Sequence, residues 1–124
     1  MNYIVISAIL GFLSVLIGAF GAHIAAQTLT ESLYKTLQVA IDYHQFYSLF
    51  LLVLSLYAYQ FDRYKIVTTF LLTIIIIGVL LFSGSLYAYV LTGIKALTYL
   101  TPLGGVTLMI AWGILGINAI RLLK

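Results

Sequence analysis

Hydrophobic residues run along this chain in four long blocks, separated by short polar interruptions. The blocks cover Tyr3–Ala26, Val39–Tyr59, Ile66–Leu91 and Thr101–Leu122. At about 1.5 Å rise per residue, each can cross roughly 30 Å of hydrocarbon, which takes about 20 residues. Inside hydrocarbon only helices and closed barrels satisfy their own backbone groups, and the alternation of a barrel strand is absent. The pattern predicts an all-α membrane protein, with four transmembrane helices packed as one bundle and residues 1–124 forming a single domain. The first block lacks the basic segment that opens a secretory signal, and three further spans follow, so it reads as a retained helix.

The polar interruptions are short. Gln60–Lys65 (QFDRYK) reads as a tight turn, and Thr92–Leu100 joins the third and fourth spans. Only Gln27–Gln38 has room for structure of its own. Thr28 and Glu31 fit a capping box, and Leu29, Leu33, Leu37 and Ile41 follow at fourfold spacing. These residues predict a short interfacial helix between the first two spans; they would serve equally as the first turns of the second span. Thr101 and Pro102 suit the cap and first position of the fourth helix.

Composition strengthens the membrane assignment. The chain is 64% hydrophobic and 7% charged, against about 25% charged in soluble domains. It has no cysteine, which excludes disulfides, thiolate metal sites and thiol nucleophiles. Six basic residues, scattered along the chain, form no nucleic-acid surface. Their placement does suggest an orientation. Arg63, Lys65, Arg121 and Lys124 fall on the side of the two termini, whereas Lys35 and Lys95 fall on the other. That bias predicts both termini in the cytoplasm.

Two patterns carry the candidate chemistry. Ser7, Gly11, Ser14, Gly18, Gly21 and Ala25 make one face of the first span out of small residues. Such a face marks helix packing in lipid and would make span one a central helix. Gly84 and Ala88 continue the pattern in span three, as do Gly104, Gly105, Gly113, Gly116 and Ala119 in span four. The second pattern is polar: His23, Asp42, His44, Tyr47, Ser83 and Ser85 gather toward the end of the bundle opposite the termini. His23 and Asp42, read at one depth, could make a hydrogen-bonded clamp between helices, a proton or solute path, or, with His44, a metal site. Asp42 and His44 lie two residues apart on a helix, turned about 200° from each other, which opposes a shared ion. No metal or cofactor is expected. Tyr34, Tyr57, Tyr59, Tyr64, Tyr87, Tyr89 and Tyr99 read as an interfacial aromatic belt.

GAFGAH (Gly18–His23), LFSGSLY (Leu81–Tyr87) and TPLGG (Thr101–Gly105) occur in this order. In these stretches the chain resembles the small membrane proteins grouped as domain of unknown function 423, and it is similar to eukaryotic transmembrane protein 256. The resemblance covers nearly the whole chain. It implies a four-helix protein of the bacterial cytoplasmic membrane, and no activity. Two positions depart from the family pattern. Tyr47 stands where relatives commonly carry a second histidine, four residues after Tyr43, and Ala111 stands where they often have glycine before Trp112. His23 and then Asp42 are the first candidates for a site. With no nucleophile–base arrangement, phosphate loop or acid dyad in view, the expectation is a non-enzymatic packing, accessory or assembly component. Its partners would be the lipid bilayer, other membrane proteins or further copies of itself. The alternative is a small transporter or channel-like protein using the His/Asp site.

Overall fold

In a computed structural model, residues 2–60 and 65–123 are described. The expected turn at 61–64, with Arg63 and Tyr64, and the terminal Lys124 lie outside the described residues. The chain forms α1 (Tyr3–Leu16), a π turn (Ile17–Gly21), α2 (Ala22–Thr28), α3 (Glu31–Gln60), α4 (Lys65–Thr92), a 3-10 turn (Lys95–Tyr99) and α5 (Leu100–Leu122). The π turn joins α1 to α2 without a break, so these elements make four helical rods long and apolar enough to cross a membrane. This is the all-helical, four-span architecture that the hydrophobic blocks predict.

Local chemistry explains where the rods begin and end. The Asn2 side chain accepts from the Val5 amide at the start of α1, leaving fewer orphan N–H groups there. Leu29 is extended and separates α2 from α3. The separate interfacial helix is not formed: residues from Glu31 onward are the first turns of a single 30-residue α3. The cap also differs from the expected capping box. Thr30 accepts from the Leu33 amide at 3.4 Å, while the Thr28 hydroxyl donates back to the Ile24 carbonyl. Glu31 stands in the first turn of α3, where a negative charge suits the helix dipole, and pairs with Lys35 at 2.7 Å.

At the other connection Gly93 has φ 71° and its amide donates to the Tyr89 carbonyl at 2.8 Å. A residue with a Cβ is strained in that left-handed conformation, so glycine suits this helix end. The 3-10 turn then feeds α5 directly. Thr101 and Pro102 consequently lie within the first turn of the helix, not at its cap. Proline is tolerated in this first turn.

Neighbours in sequence are neighbours in space. α1 packs on α3, α3 on α4, and α4 on α5, with no comparable packing between α1 and α5. The inner core comes from Tyr47 and Leu51 of α3, Leu72, Ile75 and Val79 of α4, and Leu108 and Ala111 of α5. A second, smaller cluster of Ala25, Leu37 and Ile41 closes the far end, away from the termini. α3 and α4 are thus the central helices. α1 is peripheral, contrary to the expectation from its small-residue face, because it packs mainly on α3; toward α4 it has the Tyr3–Thr73 hydroxyl bond at 2.9 Å.

Glycine is indispensable where α4 and α5 cross. A Cβ on Gly104 would run into the Phe82 backbone nitrogen, 2.8 Å from Phe82 Cα and 2.9 Å from the Gly78 carbonyl oxygen. One turn away, a Cβ on Gly78 would lie 2.7 Å from Leu108 Cδ2. Gly105 makes only ordinary contact, 3.8 Å from the Phe82 ring. Gly84, Gly113 and Gly116 have no neighbour within 4 Å of such a Cβ. Among the described residues, those three mark no close contact.

Candidate functional site

The polar side chains divide between a buried seam and a lateral groove. The seam follows from the phase of α3. His44, Tyr47, Ser48, Leu51 and Ser55 recur at helical spacing on its buried face. Asp42, rotated about 200° from His44, faces outward and is exposed. His44 is 5% exposed, and its Nδ1 lies 3.0 Å from the Tyr87 hydroxyl on α4. The imidazole is also within hydrogen-bonding reach of the Leu10 backbone in α1, although among the described residues no partner meets its buried Nε2 with good geometry. Ser83, one turn from Tyr87 on α4, is 2% exposed and its Oγ is likewise unpartnered.

Two further links tie the seam to α5. The Trp112 indole donates to the Tyr47 hydroxyl at 3.1 Å, and Phe50 stacks on Trp112 with centroids 4.5 Å apart. Ser85 and Thr101 share a hydrogen bond at 2.6 Å. The other serines mostly bond within their own helix: Ser48 donates to the His44 carbonyl, Ser55 to that of Leu51, Ser7 to that of Ile4 and Ser14 to that of Gly11. The seam is therefore a set of part-buried side-chain bonds between helices, with two buried polar atoms left over among the described residues. Among the described residues, no three His, Cys, Asp or Glu side chains group as metal ligands.

His23 is not part of the seam. A Cβ on Gly11 would sit 3.9 Å from Ser48 Cβ, and one on Gly18 would sit 3.5 Å from Ile41 Cγ2. This register aligns Asp42 with the residue before Gly18. His23 is six residues farther along, roughly 9 Å beyond Asp42 at helical rise. It is exposed on α2. The π turn contributes to this placement. Its extra residue rotates everything beyond it by about 100° relative to a regular helix. A Cβ on Gly21 meets only Ile17 of its own turn. Ser7, Ser14 and Ala25 are buried. The structure thus joins His44 to Tyr87 across α3 and α4, with Tyr47 and Ser83 one turn away on the same buried helix faces, and links Ser85 to Thr101 instead; Asp42 is exposed but within electrostatic range of Tyr87, and His23 lies farther along on α2.

Tyr87 is the site residue that the sequence does not single out, because there it reads as part of the aromatic belt. Ser83 and Tyr87 are four residues apart and share a helix face, a spacing visible in LFSGSLY. Gly78 and Trp112 were also undervalued; both mark α5 contacts.

The groove lies between α1 and α3, opens sideways and has a volume of about 610 Å³. Ala8, Phe12 and Val15 form its α1 wall, and Asp42, Gln45, Leu49 and Leu52 its α3 wall. Ser7, Gly11, Ser14 and Ser48 lie between the two walls. Asp42 is the one carboxylate along it.

Residues 17–105, from the π turn to TPLGG, match the family described as protein of unknown function DUF423. The chain is 33% identical over 119 residues to the UPF0382 inner membrane protein YgdD of Escherichia coli K12, covering 96% of this chain and 89% of the relative. It is 34% identical over 121 residues to the UPF0382 membrane protein YwdK of Bacillus subtilis, covering 98% of each. A UPF0382 membrane protein of Haemophilus influenzae is 30% identical over 111 residues, covering 90% of this chain and 87% of the relative. No solved structure matches the chain. Motifs, four-helix architecture and near full-length similarity agree: the chain belongs to the DUF423 family and is a membrane protein.

Proposed function

We propose that this protein is a non-enzymatic component of the bacterial cytoplasmic membrane that acts by packing laterally against another membrane protein or a further copy of itself. The observation that carries this reading is the open bundle. α1 and α5 are end helices with most of their apolar side chains outward, and a groove floored by small residues runs between α1 and α3. Helices in lipid associate through such close-contact surfaces because no hydrophobic drive favours burial there. The basic residues support an orientation with both termini in the cytoplasm.

Purification from the native membrane in mild detergent, followed by native mass spectrometry, tests the reading. A stoichiometric partner or homo-oligomer is expected, and it should dissociate in Leu49→Trp, which fills the groove from an exposed position. A monomer without partners refutes lateral packing as the function.

A second reading draws on the seam. His44 is buried and bonds to Tyr87, and the buried Ser83 Oγ has no partner among the described residues, which supports a proton or small-solute path centred on His44, not on His23 and Asp42. Normal flux by a folded His44→Gln protein in a proteoliposome pH-dye assay would sink it.

A further inference from the structure

We propose that the groove between α1 and α3 receives a transmembrane helix of a different protein, one that carries a lysine or arginine at the depth of Asp42. This inference rests on the lateral-packing reading and assigns it a site and a partner chemistry.

The shape of the wall argues for a helix. Asp42, Gln45, Leu49 and Leu52 follow one another at intervals of three, four and three residues. That is the spacing with which one helix presents a continuous seam to another. The seam extends about 15 Å along α3. Opposite it, Gly11 lets α1 lie close to α3 at Ser48, and the groove floor is made of the small residues Ser7, Gly11, Ser14 and Ser48.

Charge argues for the cation. Tyr57 and Tyr59 mark the membrane boundary at the termini end of α3. Counting about 20 residues of hydrocarbon from Tyr57 places the other boundary near Leu37. Asp42 then lies roughly 7 Å inside the hydrocarbon and Gln45 roughly 12 Å inside. Both are exposed. Neither has an ion pair or side-chain hydrogen bond among the described residues, where the ion pair is Glu31–Lys35. Acidic groups inside a bilayer ordinarily face a partner or a watery cavity. A basic side chain on an incoming helix neutralises Asp42, and the Gln45 amide can bond to the same helix. An acyl chain offers neither group a partner.

A second copy fits less well. The lysines and arginines of this chain are Lys35, Arg63, Lys65, Lys95, Arg121 and Lys124, all at the ends of its apolar blocks. None of its own helices brings a permanent cation to the level of Asp42.

The test uses the full chain in phosphatidylcholine vesicles with a labelled synthetic leucine–alanine helix. One peptide carries a single lysine five residues from an apolar end; its control carries leucine there. Energy transfer reports association. The lysine peptide is expected to associate about five- to thirtyfold more tightly than the control, the range of one polar interhelical contact. Asp42→Asn should erase that preference, and Leu49→Trp should weaken both peptides. Both substitutions are at exposed positions, and unchanged elution of the variants confirms their fold.

Equal association of the two peptides with the unmodified chain overturns the proposal. So does a lysine preference that survives Asp42→Asn. Two other outcomes also overturn it in favour of a different occupant: self-association of the chain lost in Asp42→Asn, or phosphatidylethanolamine retained in native mass spectra and lost in Asp42→Asn, with neither peptide bound. A native partner that dissociates in Leu49→Trp but not in Asp42→Asn removes the cation while leaving lateral packing intact.

Discussion

Replacing Gly104 by alanine is the sharpest test of how the bundle is held. The new methyl group would meet the Phe82 backbone nitrogen, with Phe82 Cα at 2.8 Å and the Gly78 carbonyl at 2.9 Å. These are backbone atoms of a packed helix and cannot turn aside as a flexible side chain would. α4 and α5 must separate, and Leu108 would lift from its seat on Gly78. Overpacking of this kind costs about 1–3 kcal/mol. The better helix propensity of alanine returns up to about 1 kcal/mol. With that gain in full the expected net loss is about 0–2 kcal/mol, or about 1–3 kcal/mol relative to an alanine that meets nothing. Gly116→Ala provides the control. It gains the same propensity and meets nothing within 4 Å, so it should be neutral or stabilising by up to about 1 kcal/mol. Thermal unfolding in dodecyl maltoside, followed by far-ultraviolet circular dichroism, should rank Gly116→Ala at or above the parent and Gly104→Ala below both. A Gly104→Ala protein that melts with or above Gly116→Ala would refute the close crossing.

Two further substitutions probe the seam and the second connection. Tyr87→Phe removes the partner of His44 Nδ1 and leaves that buried nitrogen unsatisfied, so it should destabilise by about 1–3 kcal/mol; unchanged melting would mean that the bond contributes nothing. Gly93→Ala forces a side chain into the left-handed conformation at φ 71° and should cost about 1–2 kcal/mol, with unaltered thermal stability as the contrary result.

The four spans were legible because burial in lipid demands uninterrupted apolar blocks, a signal that survives without tertiary information. The start of α3 was not legible to the same degree. Glu31–Gln38 is polar enough for an interface but also forms good helix, and nothing local distinguishes a hinge from a continuous rod. The small residues of α1 and α5 looked alike in sequence. Gly11 and Gly18 nevertheless face α3, while Gly113 and Gly116 meet nothing within 4 Å among the described residues; spacing identifies a face but not what covers it. GAFGAH drew attention to His23, and the π turn inside that motif is invisible to a reading that assumes 3.6 residues per turn. The His44–Tyr87 bond joins residues 43 positions apart. Its register depends on the α3–α4 crossing, and a tyrosine near an interface is equally at home in an aromatic belt.

The order in which the rods pack has a consequence for biogenesis. Each rod's main contact is with the one made just before it: α3 with α1, α4 with α3, and α5 with α4. A growing chain can therefore insert each new helix beside a resident neighbour, without waiting for a distant segment to close the structure. Such local assembly favours rapid folding. The α1–α3 pair is complete before α4 and α5 have been synthesised. The side of the protein that carries Asp42 is consequently the first to be finished, and it faces the membrane for the longest part of synthesis.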